Sequence, residues 1–157
     1  MASEKMKGTF IVKSFSQLSL DELHRIFILR QKVFVVEQDC AYLDADGLDE
    51  KAMHLFFLSD DSKLAAYSRI LPAGLSYPDH VAIGRVVVDQ EFRRAGLGRD
   101  IMTEALSYIN EYFPAQKIKI SAQCYLEAFY QSLGFKQQGE SYLEDGIPHI
   151  AMTYNPK

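Results

Sequence analysis

A chain of 157 residues, 48% hydrophobic and 24% charged, is expected to form one globular domain, residues 1–157, with a core of its own. Its formal net charge of −4 argues against general attraction to nucleic acid or to an anionic membrane surface. No apolar run approaches the roughly 18 residues that span a bilayer, and the opening MASEKMKG lacks the apolar core of a signal peptide, so a cytoplasmic protein without a membrane segment is expected.

In chain order, Phe10 to Phe15 begins as an alternating strand, and Ser19-Leu20-Asp21-Glu22 is a capping box that opens a helix. Leu23, Ile26, Phe27, Val33 and Phe34 give this helix one apolar stripe. Arg30 falls on the same stripe, where it either pairs with a carboxylate to fix the following loop or helps form a substrate site. Residues 37–52 form a long acidic connection with Asp44, Asp46, Asp49 and Glu50. An EF-hand reading fails because the glycine comes too early and the closing Glu is missing. The acidic side chains are either simply solvated or attract a cationic amine. Cys40 and Cys124 lack metal or disulfide spacing, and His24, His54 and His80 have no partners at ligand spacing, so no metal is expected.

His54 to Leu58 and Leu64 to Ile70 read as strands joined by the turn Ser59-Asp60-Asp61-Ser62. With Val81 to Val88, whose apolar and mostly β-branched residues suit a strand covered on both faces, they predict an antiparallel run. Arg93, Arg94, Gly96, Gly98 and Arg99 follow where the periodicity changes, and Leu97, Ile101, Met102, Ala105, Leu106, Ile109 and Phe113 recur at helical spacing. The glycines therefore sit at a helix N-terminus, where free N–H groups and close backbone approach favour a phosphate. Neither a P-loop nor a dinucleotide fingerprint fits, since no Lys follows the glycines and position 101 is Ile. Lys117 to Ser121 is the next strand, Gly134 suits a helix C-cap, and Phe135 to Gln137 with His149 to Tyr154 are the last strands. The alternation predicts a mixed sheet with helices on both sides, an α/β or α+β sandwich.

Arg93-x-x-Gly96-x-Gly98 between a strand and a helix resembles the acetyl-CoA loop of the GNAT superfamily of N-acetyltransferases. Gln123 after a strand, followed by Phe129-Tyr130-x-x-Leu133-Gly134-Phe135, resembles the second half of that cofactor site. The run from Arg30 through Val33-Phe34-Val35-Val36-Glu37-Gln38 to Asp49, and the close Glu144-Asp145-Gly146-Ile147-Pro148-His149, are similar to the ElaA-like bacterial branch. The resemblance covers nearly the whole chain. It implies a mixed, mostly antiparallel central sheet flanked by helices on both sides.

The resemblance also implies an acetyl-CoA-dependent N-acetyltransferase that acetylates a primary amine of a small molecule or peptide, by direct attack in a ternary complex. Main-chain groups of Val86 and Val88 would meet the pantetheine arm, in the manner of an added strand. An N–H near Val87 or Val88 would hold the oxyanion. The pyrophosphate would sit on Arg94, Ala95, Gly96, Leu97, Gly98 and Arg99, with charge from Arg93, Arg94 and Arg99, and Gln123 would complete the cofactor site. Tyr130 would protonate the departing sulfur or else only pack against the cofactor. The general base is left among His149, Glu37 and a water chain, with Arg30 and Glu37 on the substrate-binding side. Cys124 would lie near the thiol end in a structural role. Family members are often homodimers, which leaves that assembly open. Two other functions stay open: a non-catalytic acyl-CoA sensor, and an acyltransferase like the acyl-homoserine lactone synthases, whose chains are typically longer and carry tryptophans that this one lacks.

Overall fold

The computed structural model describes residues 5–156, so the first four residues of the opening and Lys157 at the expected domain end lie outside the described residues. Seven strands form one sheet in the order β1-β2-β3-β4-β5-β7-β6. The strands are β1 (Gly8–Ser14), β2 (Met53–Ser59), β3 (Leu64–Leu71), β4 (Val81–Val88), β5 (Ile118–Gln123), β6 (Lys136–Glu144) and β7 (Ile147–Tyr154). Every neighbouring pair is antiparallel except β4 and β5, which run parallel.

The helices divide between the two faces because side chains alternate along each strand. Phe56 and Tyr67 point to the face covered by α1 (Leu20–Arg30), where they pack with Ile26, Leu29 and Val33. Leu55, Phe57, Ala66 and Ile70 point to the other face and meet Leu97, Ile101, Met102, Ala105, Leu106 and Ile109 of α2 (Leu97–Tyr112). The α1 helix opens on the expected capping box, with Ser19 and Glu22 bonding each other's backbone N–H. It then runs into wider π-helical turns over Gln31–Glu37. A short α3 (Glu127–Ser132) follows β5 and brings Tyr130 onto the α2 side of the core. No helix among the described residues is long and apolar enough to cross a membrane.

Two expectations are corrected. Only the first half of β4 is covered on both faces: Gly84, Arg85, Val86 and Val88 are half-buried, and Arg85 takes φ +51 in a bulge opposite Ser68. The penultimate strand also extends well past Gln137, to Glu144, and turns at Asp145-Gly146, both with positive φ. All nine residues of β6 are exposed, so no apolar alternation marks it, and the Asp-Gly pair is its one local signal.

Gly134 follows α3 at φ +103, and a Cβ there would meet the Tyr154 ring at 3.0 Å. Gly134→Ala therefore combines left-handed strain with a clash, and should lower stability by about 1–3 kcal/mol in urea unfolding. A loss below a few tenths would show that the turn relaxes freely.

Candidate active site

The central feature is the parting of β4 and β5. They pair at Val81–Ile118 and Ala82–Lys119 and at no later position, so both strands diverge towards their C-terminal ends. A cavity of about 800 Å³ occupies the opening. Open α/β sheets place ligands at such C-terminal crevices because backbone groups there lack strand partners.

One arm of the cavity is lined by Val86, Val87, Val88, Arg93, Arg94, Gly96, Leu97, Gly98, Arg99, Gln123 and Tyr130. Ala95 is the one residue of the expected cofactor set that does not line it. The N–H of Asp89 bonds the Ala65 carbonyl on β3, so by strand alternation the N–H and C=O of Val88 face away from β3, into the gap. The Val88 carbonyl accordingly accepts from Arg93 Nε at 3.1 Å. Val87 instead turns its backbone to β3, opposite Tyr67, and its side chain is buried with α1, so of the two only Val88 turns its N–H towards the gap.

Gly96 caps α2 with φ +76, a conformation costly for any residue with a Cβ. Gly98, in the first turn, has open space: a Cβ there would find only Val88 Cγ2, at 3.8 Å. Nothing in the fold demands glycine at position 98, whereas an anion approaching the helix N–H groups would. The three arginines are not equivalent. Arg93 also pairs with Glu37 at 2.7 Å, Arg99 donates to Ser132 Oγ at 2.7 Å and covers the Phe129 ring, and Arg94 takes φ +73 in the turn. Gln123 Nε2 donates to Gln38 Oε1 at 3.3 Å, linking the tip of β5 to the end of the first helical segment.

Tyr130 is 7% exposed and meets Phe129 and Phe135 edge-on. Burial pushes its phenol up to about 12. The hydroxyl therefore stays protonated throughout the neutral range.

The other arm is walled by Cys40, Tyr42, Asp46, Arg69, Tyr77, Ser121, Glu144, Asp145 and His149. Strand register sets His149 beside Gln123 on β5 and Tyr142 on β6. Its Nδ1 lies 2.7 Å from the Ile147 carbonyl, which can only accept, so Nδ1 carries a proton, and its Nε2 stands 3.4 Å from Glu144 Oε2. Among the two cysteines, Cys40 reaches this cavity and bonds the Asp145 carbonyl at 3.4 Å. Cys124, expected near the thiol end, packs against the main core and does not line the cavity.

The acidic loop is neither simply solvated nor free to attract a cation. Arg30, with no exposure, bonds Asp44 and Asp49 at 2.7 Å each. Arg69 bonds Asp46 at 2.7 Å and Asp49 at 3.0 Å, and Arg85 pairs with Asp44 at 2.8 Å. Three arginines thus face three aspartates, and Arg30 lies outside the cavity wall, so the structural alternative holds for it in place of substrate contact. Burial opposes the charge on Asp49, but hydrogen bonds and charge from Arg30 and then Arg69 outweigh it and hold the carboxyl below its ordinary range. The same balance, through Arg69, Leu48 N–H and Arg85, lowers Asp46. His54 is also buried, accepting a hydrogen bond from the Tyr67 hydroxyl at Nδ1 and donating from Nε2 to the Asp49 carbonyl, and burial lowers its pKa. Among the described residues no group of His, Cys, Asp and Glu is arranged to hold a metal.

Sequence reasoning missed Tyr42, Tyr77, Ser121 and the bulged Arg85, because they come from separate elements and converge only in the folded sheet. Glu144 and Asp145 had a signal in the Asp-Gly turn, which marks a hairpin tip.

A sheet that opens between parallel central strands, with a glycine-capped helix at the mouth, is the architecture of the acyl-CoA N-acyltransferases. A profile of the acetyltransferase (GNAT) domain matches residues 21–156. The chain is 44% identical over 144 residues to a UPF0039 protein of Schizosaccharomyces pombe, covering 91% of this chain and 94% of that one. It also superposes on the crystal structure of an acyl-CoA N-acyltransferase from Pseudomonas aeruginosa, with 39% identity, TM-score 0.88, and coverage of 94% and 99%. The structure of Escherichia coli ElaA is similar to it with 37% identity, TM-score 0.87, and the same coverage. The chain belongs to the GNAT acetyltransferase family, in the branch that includes ElaA. A fungal relative this similar means that the branch is not confined to bacteria.

Proposed function

We propose that this protein moves an acetyl group from acetyl-CoA to a primary amine by direct attack, with both substrates held in the cavity between β4 and β5. The observation that carries the reading is the outward-facing peptide of Val88 beside the Gly-capped first turn of α2. A pantetheine N–H would meet the Val88 carbonyl, which keeps a second lone pair beside its bond from Arg93, and a pyrophosphate fits the helix turn.

The chain's own groups then divide the work. His149 Nε2 takes a proton from the ammonium, and the neutral nitrogen attacks the thioester carbon. A C–N bond forms as the C–S bond breaks, and the nitrogen's second surplus proton leaves to neutralise the thiolate. The Val88 N–H stabilises the oxyanion, and the Tyr130 hydroxyl donates to the sulfur as it leaves with the bonding pair. Glu37, already paired with Arg93, is a weaker candidate for the base than His149.

Gly98→Val separates ligand binding from folding. A Cβ at position 98 would meet only Val88 Cγ2, at 3.8 Å, so the melting temperature should stay within about 2 °C, while acetyl-CoA affinity measured by calorimetry should fall at least ~10-fold, because the added carbons stand where the phosphate oxygens would approach. Unchanged affinity would remove the helix terminus from the site. Thiol release should appear on adding primary amines to the wild type. Binding without release across an amine panel would favour the sensor reading, and release with S-adenosylmethionine alone the lactone-synthase reading.

A further inference from the structure

The acceptor arm of the cavity carries several carboxylates, and they differ in whether a guanidinium already neutralises them. Asp46 is held by Arg69 and Arg85, and Glu37 by Arg93. Glu144 forms no ion pair with Lys or Arg among the described residues. Its Oε1 is held by Ser121 Oγ at 3.3 Å, and that hydroxyl also bonds Tyr142. Its Oε2 stands 3.4 Å from His149 Nε2. His149 is itself only 7% exposed, and Tyr142 stacks beside its ring at 6.3 Å and 22°.

With Nδ1–H committed to the Ile147 carbonyl, an imidazolium would donate from Nε2 to Glu144 Oε2, whereas a neutral imidazole, the form that can accept a proton, turns a lone pair towards that oxygen. Two acceptors converging without a hydrogen between them repel, and the arrangement is relieved by a group that brings both protons and positive charge. An ammonium does both. Tyr42 and Tyr77, on the same arm, offer aromatic walls to whatever carbon skeleton bears it.

We propose that Glu144 and His149 together form the ammonium site of the acyl acceptor, so that the protein selects amines that are protonated before they react. This rests on the acyltransferase reading. One ammonium hydrogen bonds Glu144 Oε2 and another points at His149 Nε2. Transfer of that second proton to Nε2 leaves a neutral amine with a free lone pair and an imidazolium beside Glu144. Glu144 thus binds the acceptor and then faces the charge on His149, with Ser121 fixing its direction.

The test uses two probes of one shape, benzylamine and benzyl alcohol, added to the CoA-loaded protein while the His149 ring signals are followed by NMR. In the wild type, benzylamine should perturb the ring at concentrations at least ~10-fold lower than the alcohol does. In Glu144→Gln, which keeps the size and the Ser121 bond, the two probes should become nearly equal, with CoA affinity unchanged by calorimetry. A wild type that treats the probes alike, or a Glu144→Gln protein that keeps the wild-type preference, overturns the ammonium site. Because these readouts need no turnover, they are separate from thiol release, whose absence with every amine would count against the acyltransferase reading itself.

Discussion

Replacing Tyr130 with Phe should lower kcat by about 10²-fold while leaving acetyl-CoA affinity and the melting temperature nearly unchanged. The ring's contacts with Phe129 and Phe135 survive the substitution, so only the hydroxyl is lost. Tyr130 lines the same cavity as Val88, where the thioester sulfur would leave. Burial keeps its pKa near about 12, well above that of a thiol at ~8.5, so complete transfer to a thiolate is uphill. Its contribution is a hydrogen bond that strengthens as charge builds on sulfur, and it adds no alkaline limb to the rate profile below about pH 11. Steady-state thiol release with saturating amine measures the effect. An unchanged kcat would reduce Tyr130 to packing.

Asp49→Ala should cost about 3–5 kcal/mol, because it strips the carboxylate from between two buried guanidinium groups. Arg30 and Arg69 both bond Asp49, and each is at most 3% exposed, so neither can recover the loss in water. In a chain of this size the melting temperature should drop by roughly 10 °C. The pH dependence has a definite sign. Asp46 and Asp49 titrate below their unfolded values, so their stabilisation is complete above about pH 5 and is lost as pH falls through about 4 and below. Asp49→Asn should therefore flatten the acid side of the stability curve, and a variant as acid-sensitive as the wild type would show that the cluster contributes little. The same loop carries Cys40 and Tyr42 on the acceptor wall, so Asp49→Ala should also raise the amine KM more than that for acetyl-CoA.

The cofactor arm was the legible half of the site. Arg93 to Arg99 are continuous in sequence, and a helix N-terminus exposes its N–H groups whatever packs around it, so their place at the mouth of the cavity could be read from the chain. The acceptor arm was not. Ser121 on β5 and Glu144 on β6 are brought together by their shared neighbour β7, and Tyr77 comes from the connection between β3 and β4. The acidic loop misled for a related reason. A run of aspartates reads as solvated or cation-seeking until the arginines that neutralise it are located, and Arg69 and Arg85 lie on strands whose pattern was dominated by their apolar neighbours.

The sequence by itself determined the order of strands and helices, the capping of α1 and α2, the split of apolar residues between two faces, and the family. These depend on local periodicity and on short contiguous motifs. The tertiary structure alone decided where β4 and β5 separate and which carboxylates are already paired with guanidinium groups. Charge compensation is a property of distances of about 3 Å between residues tens of positions apart, and no local pattern encodes such distances.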